Sequence, residues 1–277
     1  MLAIDCGTGG RAAPSAPAST PPRALAAAEI AQLIPARVKD RANWSEAIFN
    51  ALAANELIAD KESTCAVIAV IAQESGFEID PVVPGMATLA AARIDRYKAK
   101  LGPVGNPLFK WLLSGRAPDD ARPFDQRLAT VRTERDVDIL FRDLLAFYEV
   151  HHPTMFAAVN WAGKLGELDG LDELNPITTA GSMQVSVRFA EDWARTRMGQ
   201  SATSARIRES LYTRAGGVYY GTARLLVYPA HYDQAVFRFA DYNAGFYASR
   251  NAAVQAQLSR LTGKKLVLDG DLLSYEK

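Results

Sequence analysis

Apolar residues recur at steps of three and four along most of the chain, the spacing that puts them on one face of a helix. Leu25, Ile30, Leu33 and Ile34 predict a short amphipathic helix that Pro35 ends. Trp44 to Leu57 predicts a second, with Ile48, Leu52 and Leu57 on its apolar face. Met86–Lys100 and Leu108–Leu113 are shorter candidates between glycine and proline breaks. The clearest pattern is Glu134–Val150, where Val137, Leu140, Phe141, Leu144, Leu145 and Tyr148 form the stripe. Thr133 stands at its N-cap, with Asp136 three residues on. Lys164–Pro176 reads as a polar connector, followed by helices over Ser182–Met198, Ala205–Arg214, Val218–Tyr228, Tyr232–Asn243 and Ala248–Leu261, with Gly263 as the stop. Only Leu266–Leu268 has a strand pattern. Cys65–Ala72 (CAVIAVIA) is an unbroken apolar run that periodicity assigns to neither a buried helix nor a buried strand; within it Cys65 reads as an inert core residue. The fold class is therefore mainly α.

Residues 1–23 depart from this pattern. Gly, Ala, Pro, Ser and Thr dominate, the composition of a flexible tail. Met1–Ile4 is too short for the apolar core of a signal peptide. Two readings follow: a cytosolic protein, or a chain that starts downstream of a leader. In the second, Cys6 before Gly7 and a tether would be a lipid-anchoring cysteine, although Asp5 stands where a small residue is expected.

Composition narrows the classes of partner. Lys+Arg and Asp+Glu both number 31, so there is no basic excess of the kind that marks nucleic-acid binding. Two cysteines make no disulfide framework and no zinc pattern. His151 and His152 are adjacent rather than four apart, and Asp169, Asp172 and Glu173 lack the spacing of a calcium loop, so no metal site is expected. Hydrophobic residues make up 49% of the chain, enough for a sizeable core.

Three polar segments interrupt the apolar pattern. Gln73-Glu74-Ser75-Gly76-Phe77 places a carboxylate at the end of the apolar run, where burial is costly without a partner or a task. Gly181-Ser182-Met183-Gln184 predicts a helix start with Gln184 in the first turn, where free N–H groups favour polar ligands. Ala240-Asp241-Tyr242-Asn243-Ala244-Gly245 predicts a helix end carrying Tyr242 and Asn243, able to hydrogen-bond a carboxylate or a sugar. Taken singly, each is also an ordinary helix terminus.

In this order, E-S-x-F, G-x-M-Q and A-x-Y-N-A-G resemble the motifs of the lysozyme-like lytic transglycosylases of bacterial cell walls. The resemblance implies a lysozyme-like helical domain over residues 24–277, acting on peptidoglycan glycan strands. Glu74 would be the acid/base, Ser75 its neighbour in the groove, Met183 and Gln184 substrate contacts, and Tyr242 and Asn243 the supporting pair. It implies no cofactor. About 110 residues separate Glu74 from Gln184 where the family has a few tens, so residues about 83–174 would be an inserted helical subdomain. Ser182 replaces the family's usual Leu, and Asp241 its usual Ala. Asp241 is thereby the first candidate for a second carboxylate, should water be the acceptor. Longer stretches, among them RAGGVYYGTARLLVYPA (Arg214–Ala230) and FADYNAGFYASRNAA (Phe239–Ala253), are similar to a bacterial envelope-lipoprotein family, which implies the cell envelope, with the periplasm as the compartment and a lipid anchor as the attachment if a leader is missing. Two functions stay open: a lytic transglycosylase or related muramidase, and a non-catalytic peptidoglycan-binding scaffold.

Overall fold

The computed structural model describes residues 23–100, 102–157, 175–227, 239, 241–242 and 248–268. It is mainly helical, and the Cys65–Ala72 run lies in a helix. Helices α1 (Ala27–Leu33), α2 (Arg41–Ala54) and α3 (Lys61–Glu74) open the fold. Next come α4 (Met86–Lys100), α5 (Gly105–Ser114), α6 (Phe124–Leu128) and α7 (Glu134–His151). After a hairpin come α8 (Val187–Met198), α9 (Ser204–Leu211), α10 (Arg214–Thr222) and α11 (Ala248–Thr262). No helix among the described residues is long and apolar enough to cross a membrane.

Local chemistry sets these boundaries. Asp60 caps α3 by accepting from the Ser63 amide at 2.8 Å. Thr133 and Asp136 form a reciprocal capping box on α7, each side chain accepting at 3.1 Å from the other's amide. The Thr213 hydroxyl accepts from the Gly216 amide at 3.0 Å and starts α10 at Arg214, so the chain breaks where the sequence reading ran the preceding helix on to Arg214. Beyond Thr222 the backbone widens into a π turn over Ala223–Val227.

Three expectations are corrected. The segment Gly181–Gln184 does not start a helix. It is the turn of a two-stranded antiparallel hairpin, β1 (Thr179–Ala180) and β2 (Val185–Ser186), with Thr179 opposite Ser186 and Ala180 opposite Val185. Gly181 and Gln184 have φ of +79° and +49°, incompatible with a right-handed helix, and the helix begins only after Ser186. Cys65 is exposed rather than in the core: α3 buries Thr64, Val67, Ile68, Val70 and Ile71, which leaves Cys65 and Ala69, four residues apart, on the solvent side. Leu266–Leu268 forms no strand; the Leu266 amide donates to the Ser259 hydroxyl at 3.0 Å.

The buried side chains form two main clusters. The first draws on α1–α3, the hairpin and α8–α10, with Trp44, Ile48, Val67, Ile71, Met183 and Leu211 at its centre. Its tightest junction is α10 on the hairpin. A Cβ at Gly221 would overlap the Met183 side chain, so the glycine lets the helix close on the turn. The second cluster, with Met86, Phe124, Leu128, Val137 and Leu140, comes from the stretch between Val83 and Phe147 plus Ile177. A bridge between Val82 and Thr133 ties the chain leaving α3 to the start of α7.

A buried ionic network joins the two clusters. Asp138 of α7, fully buried, pairs with Arg208 of α9 at 2.6 Å and with Arg142 at 3.0 Å, and accepts from the Asn175 amide group at 2.8 Å. Arg142 and Arg135 both reach Glu209 of α9, at 2.6 and 2.9 Å. The tail, most of the Lys164–Pro176 connector, most of Tyr232–Asn243, and Asn243 itself lie outside the described residues.

Candidate functional site

Glu74 is the last residue of α3. The helix behind it is anchored by its buried face, which carries Glu74 to the edge of the first cluster. Ser75 caps the helix and its hydroxyl donates back to the Ile71 carbonyl at 3.2 Å, a local structural bond. The chain then turns through Gly76 and Phe77, at φ of +61° and +71°. A bulky residue in the left-handed region is strained by about 1–2 kcal/mol. Phe77 is held there by burial edge-on against Trp44, with ring centroids 5.3 Å apart.

The Glu74 carboxyl is half-buried and makes no hydrogen bond or ion pair with any described residue. Burial raises its pKa above the ordinary carboxylate range. Close by is the Tyr242 phenol. Burial, and then the Glu74 charge, push its pKa up, with Arg224 pulling the other way, so the hydroxyl stays protonated. That hydroxyl donates to the Met183 backbone carbonyl. The second and third polar segments thus meet, and the Glu74 charge of the first is felt at the Tyr242 phenol. The part played by Met183 is its carbonyl: its side chain is completely buried beneath Gly221.

The adjacent residue, Gln184, faces a second acidic group. Its side-chain amide donates to Glu134 at 2.8 Å, and its oxygen accepts from the Thr179 hydroxyl at 2.8 Å. Burial raises the Glu134 pKa; the Gln184 bond works against this and the Asp80 charge with it. Asp80 is likewise raised by burial, against a 3.1 Å hydrogen bond from Thr133. The Tyr212 hydroxyl, buried without a hydrogen-bond partner, is pushed up by its burial and by the charges of Asp138 and Glu134. Consecutive residues of the turn between β1 and β2 thus hold Tyr242, through the Met183 carbonyl, and Glu134, through the Gln184 side chain.

Asp241, the sequence-based candidate for a second carboxylate, is only 3% exposed, and its carbonyl lies 3.5 Å from the Arg224 guanidinium. It cannot meet a substrate as the chain stands. Glu134 and Asp80 were not singled out from the sequence. An acidic residue just after a Thr cap is what any helix start favours, and nothing local to Glu134 or Asp80 signals their burial together. The only sequence clue was Gln184, whose partner lies 50 positions away.

Fold and site together define a mainly helical protein with a desolvated, unpaired glutamate beside a hairpin turn. The chain belongs to the family described as a protein of unknown function (DUF1615), which matches residues 37–277. It is 37% identical over 250 residues to the uncharacterized protein YaiW of Escherichia coli (strain K12), an alignment covering 90% of this chain and 63% of that relative. No solved structure matches.

Proposed function

We propose that this chain is a peptidoglycan lytic transglycosylase of the cell envelope, built on a lysozyme-like helical domain, with Glu74 as its single acid/base. The observation that carries the reading is the Glu74 carboxyl, half-buried, raised in pKa and without an ion pair to any described residue, its charge felt at the protonated Tyr242 hydroxyl. A general acid working near neutral pH needs such an environment.

Protonated Glu74 donates its proton to the glycosidic oxygen between N-acetylmuramic acid and N-acetylglucosamine, and the C1–O bond breaks. The acetamido group of the substrate stabilises the cationic carbon. As carboxylate, Glu74 then takes the proton of the muramic acid C6 hydroxyl while that oxygen bonds to C1, closing a 1,6-anhydro ring. The proton is returned to Glu74, water is not consumed, and no second carboxylate or cofactor takes part. Tyr242, locked on the Met183 carbonyl, fixes the wall against which the carboxyl works.

Digestion of purified sacculi, with products weighed by mass spectrometry, tests this. Anhydro-ended muropeptides from the wild type, absent with Glu74→Gln, are expected. Reducing ends instead would mean attack by water and would require a second carboxylate as base. A non-catalytic glycan-binding role is the second reading. It is favoured by the commitment of Gln184 to Glu134 and Thr179, which uses the second segment to brace the fold. Binding to sacculi with neither product would select it.

A further inference from the structure

The second helical unit contains a cavity of about 530 Å³ between α4, α5, α7 and the helical turn at 153–157. This lies within the roughly 300–1,000 Å³ of small-molecule sites. Its wall is almost entirely hydrocarbon, with Ile94, Leu112, Phe141, Leu144 and Phe156 as examples. The apolar stripe of α7 is wider than its own core requires. Val137 and Leu140 are buried in the cluster, while Phe141 and Leu145, half-buried, face the cavity.

Two polar side chains interrupt the wall on α4. Arg93 and Tyr97, one turn apart, line the cavity with Ala90 and Ile94. Among the described lining residues Arg93 is the only charged one. Neither Arg93 nor Tyr97 makes a hydrogen bond or ion pair with any described residue, whereas Lys98 beside them is paired with Asp95 at 2.8 Å. The remaining phenol, Tyr148, is already spent on the Trp111 and Leu112 carbonyls, at 2.8 and 2.9 Å.

These features specify the occupant. A peptide or sugar would bury many backbone amides or hydroxyls against a wall whose described residues offer free polar groups only at Arg93 and Tyr97, which is costly. A long hydrocarbon chain buries nothing polar except at its end. At roughly 30 Å³ for a water-sized group such as a methylene, the cavity accommodates a chain of on the order of 15 carbons. We infer that this cavity binds a long-chain fatty acid, its hydrocarbon tail between α4, α5 and α7 and its carboxylate on the Arg93 guanidinium and the Tyr97 hydroxyl. The inference is independent of the role of Glu74.

Calorimetric titration of the delipidated full chain tests it, with tetradecanoate and tetradecyltrimethylammonium as probes below their micelle concentrations. Tetradecanoate should bind saturably with one site per chain. Each pair of methylenes removed should weaken it on the order of tenfold, and the cationic probe should bind far more weakly. Arg93→Glu should weaken tetradecanoate at least tenfold and strengthen the cation, a reversal that loss of packing alone does not produce. Leu108→Trp and Leu145→Trp, at wall positions that are not fully buried, should each abolish binding of the acid while leaving the thermal midpoint close to wild type. No saturable binding of tetradecanoate by the wild type overturns the inference, as does unchanged head-group preference in Arg93→Glu or full binding in both tryptophan variants. Association with phosphatidylglycerol vesicles without binding of the free acid overturns it too, in favour of a membrane surface.

Discussion

A carboxylate that folding strips of water and gives no cation opposes folding whenever it is ionised. Glu74 is in that position: its pKa is raised, with burial as the cause. For an acid whose folded pKa lies above its unfolded one, stability is fully present below the unfolded value and is lost as pH rises through the folded one. Glu74→Gln should therefore match the wild type in thermal stability at acid pH and exceed it at neutral pH. The same variant should lose on the order of 10²–10⁴ in cleavage rate if Glu74 is the acid. Paired melts at pH 4 and pH 7 with a sacculus digest read both; stability lost at neutral pH with cleavage intact would make Glu74 structural. This residue was legible in the sequence because a Gln-Glu-Ser-Gly-Phe segment ends an apolar run. Glu134 was not, because its burial follows from Gln184 and Asp80, brought to it by tertiary contacts rather than by its neighbours in the chain.

The hairpin turn holds Tyr242 and Glu134 through consecutive residues, and it depends on one glycine. Gly181 lies at φ +79°, and a Cβ there would collide with the Leu211 carbonyl, a backbone atom that cannot rotate aside. Gly181→Ala should cost about 2–4 kcal/mol, combining left-handed strain with overpacking. It should also shift the turn that holds the Met183 carbonyl and Gln184, so cleavage should fall even at temperatures where the variant is folded. Urea melts with near-ultraviolet dichroism separate the two losses, and a variant as stable as the wild type would refute the close approach. The sequence pattern hid this element. Val185, Phe189 and Trp193 step by four and extend the helical stripe backwards through β2, while strands of two residues are too short for an alternating period to register. The helix proper, with Phe189 and Trp193 stacked at 5.7 Å, was readable.

At the scale of the whole molecule, two apolar clusters are held in register by charge. Helical periodicity sufficed to read α4 and α7 to within a residue, because α4 lies between glycine and proline breaks and α7 has a long stripe behind a Thr cap. It could not read the junction. Asp138 and Arg208 are 70 positions apart, and each looks like a solvated residue on an amphipathic helix. Asp138→Ala strands Arg208 in a buried site and removes an acceptor from Arg142 and Asn175. Such a loss costs about 3–5 kcal/mol, whereas replacing a buried pair by apolar groups of similar size is often neutral. Asp138→Leu with Arg208→Met should therefore recover much of the loss, though not all, since the Asn175 amide loses its acceptor and Arg142 keeps only Glu209. Hydrogen exchange locates the effect. In Asp138→Ala, amides of α7 and α9 should lose protection before those of α2 and α3, which pack only within the first cluster. The Gln184–Glu134 contact spans the same junction, so its variant Gln184→Ala should couple to Asp138→Ala in a double-mutant cycle. Strict additivity of the two would mean that the hairpin and the ionic network hold the clusters together independently.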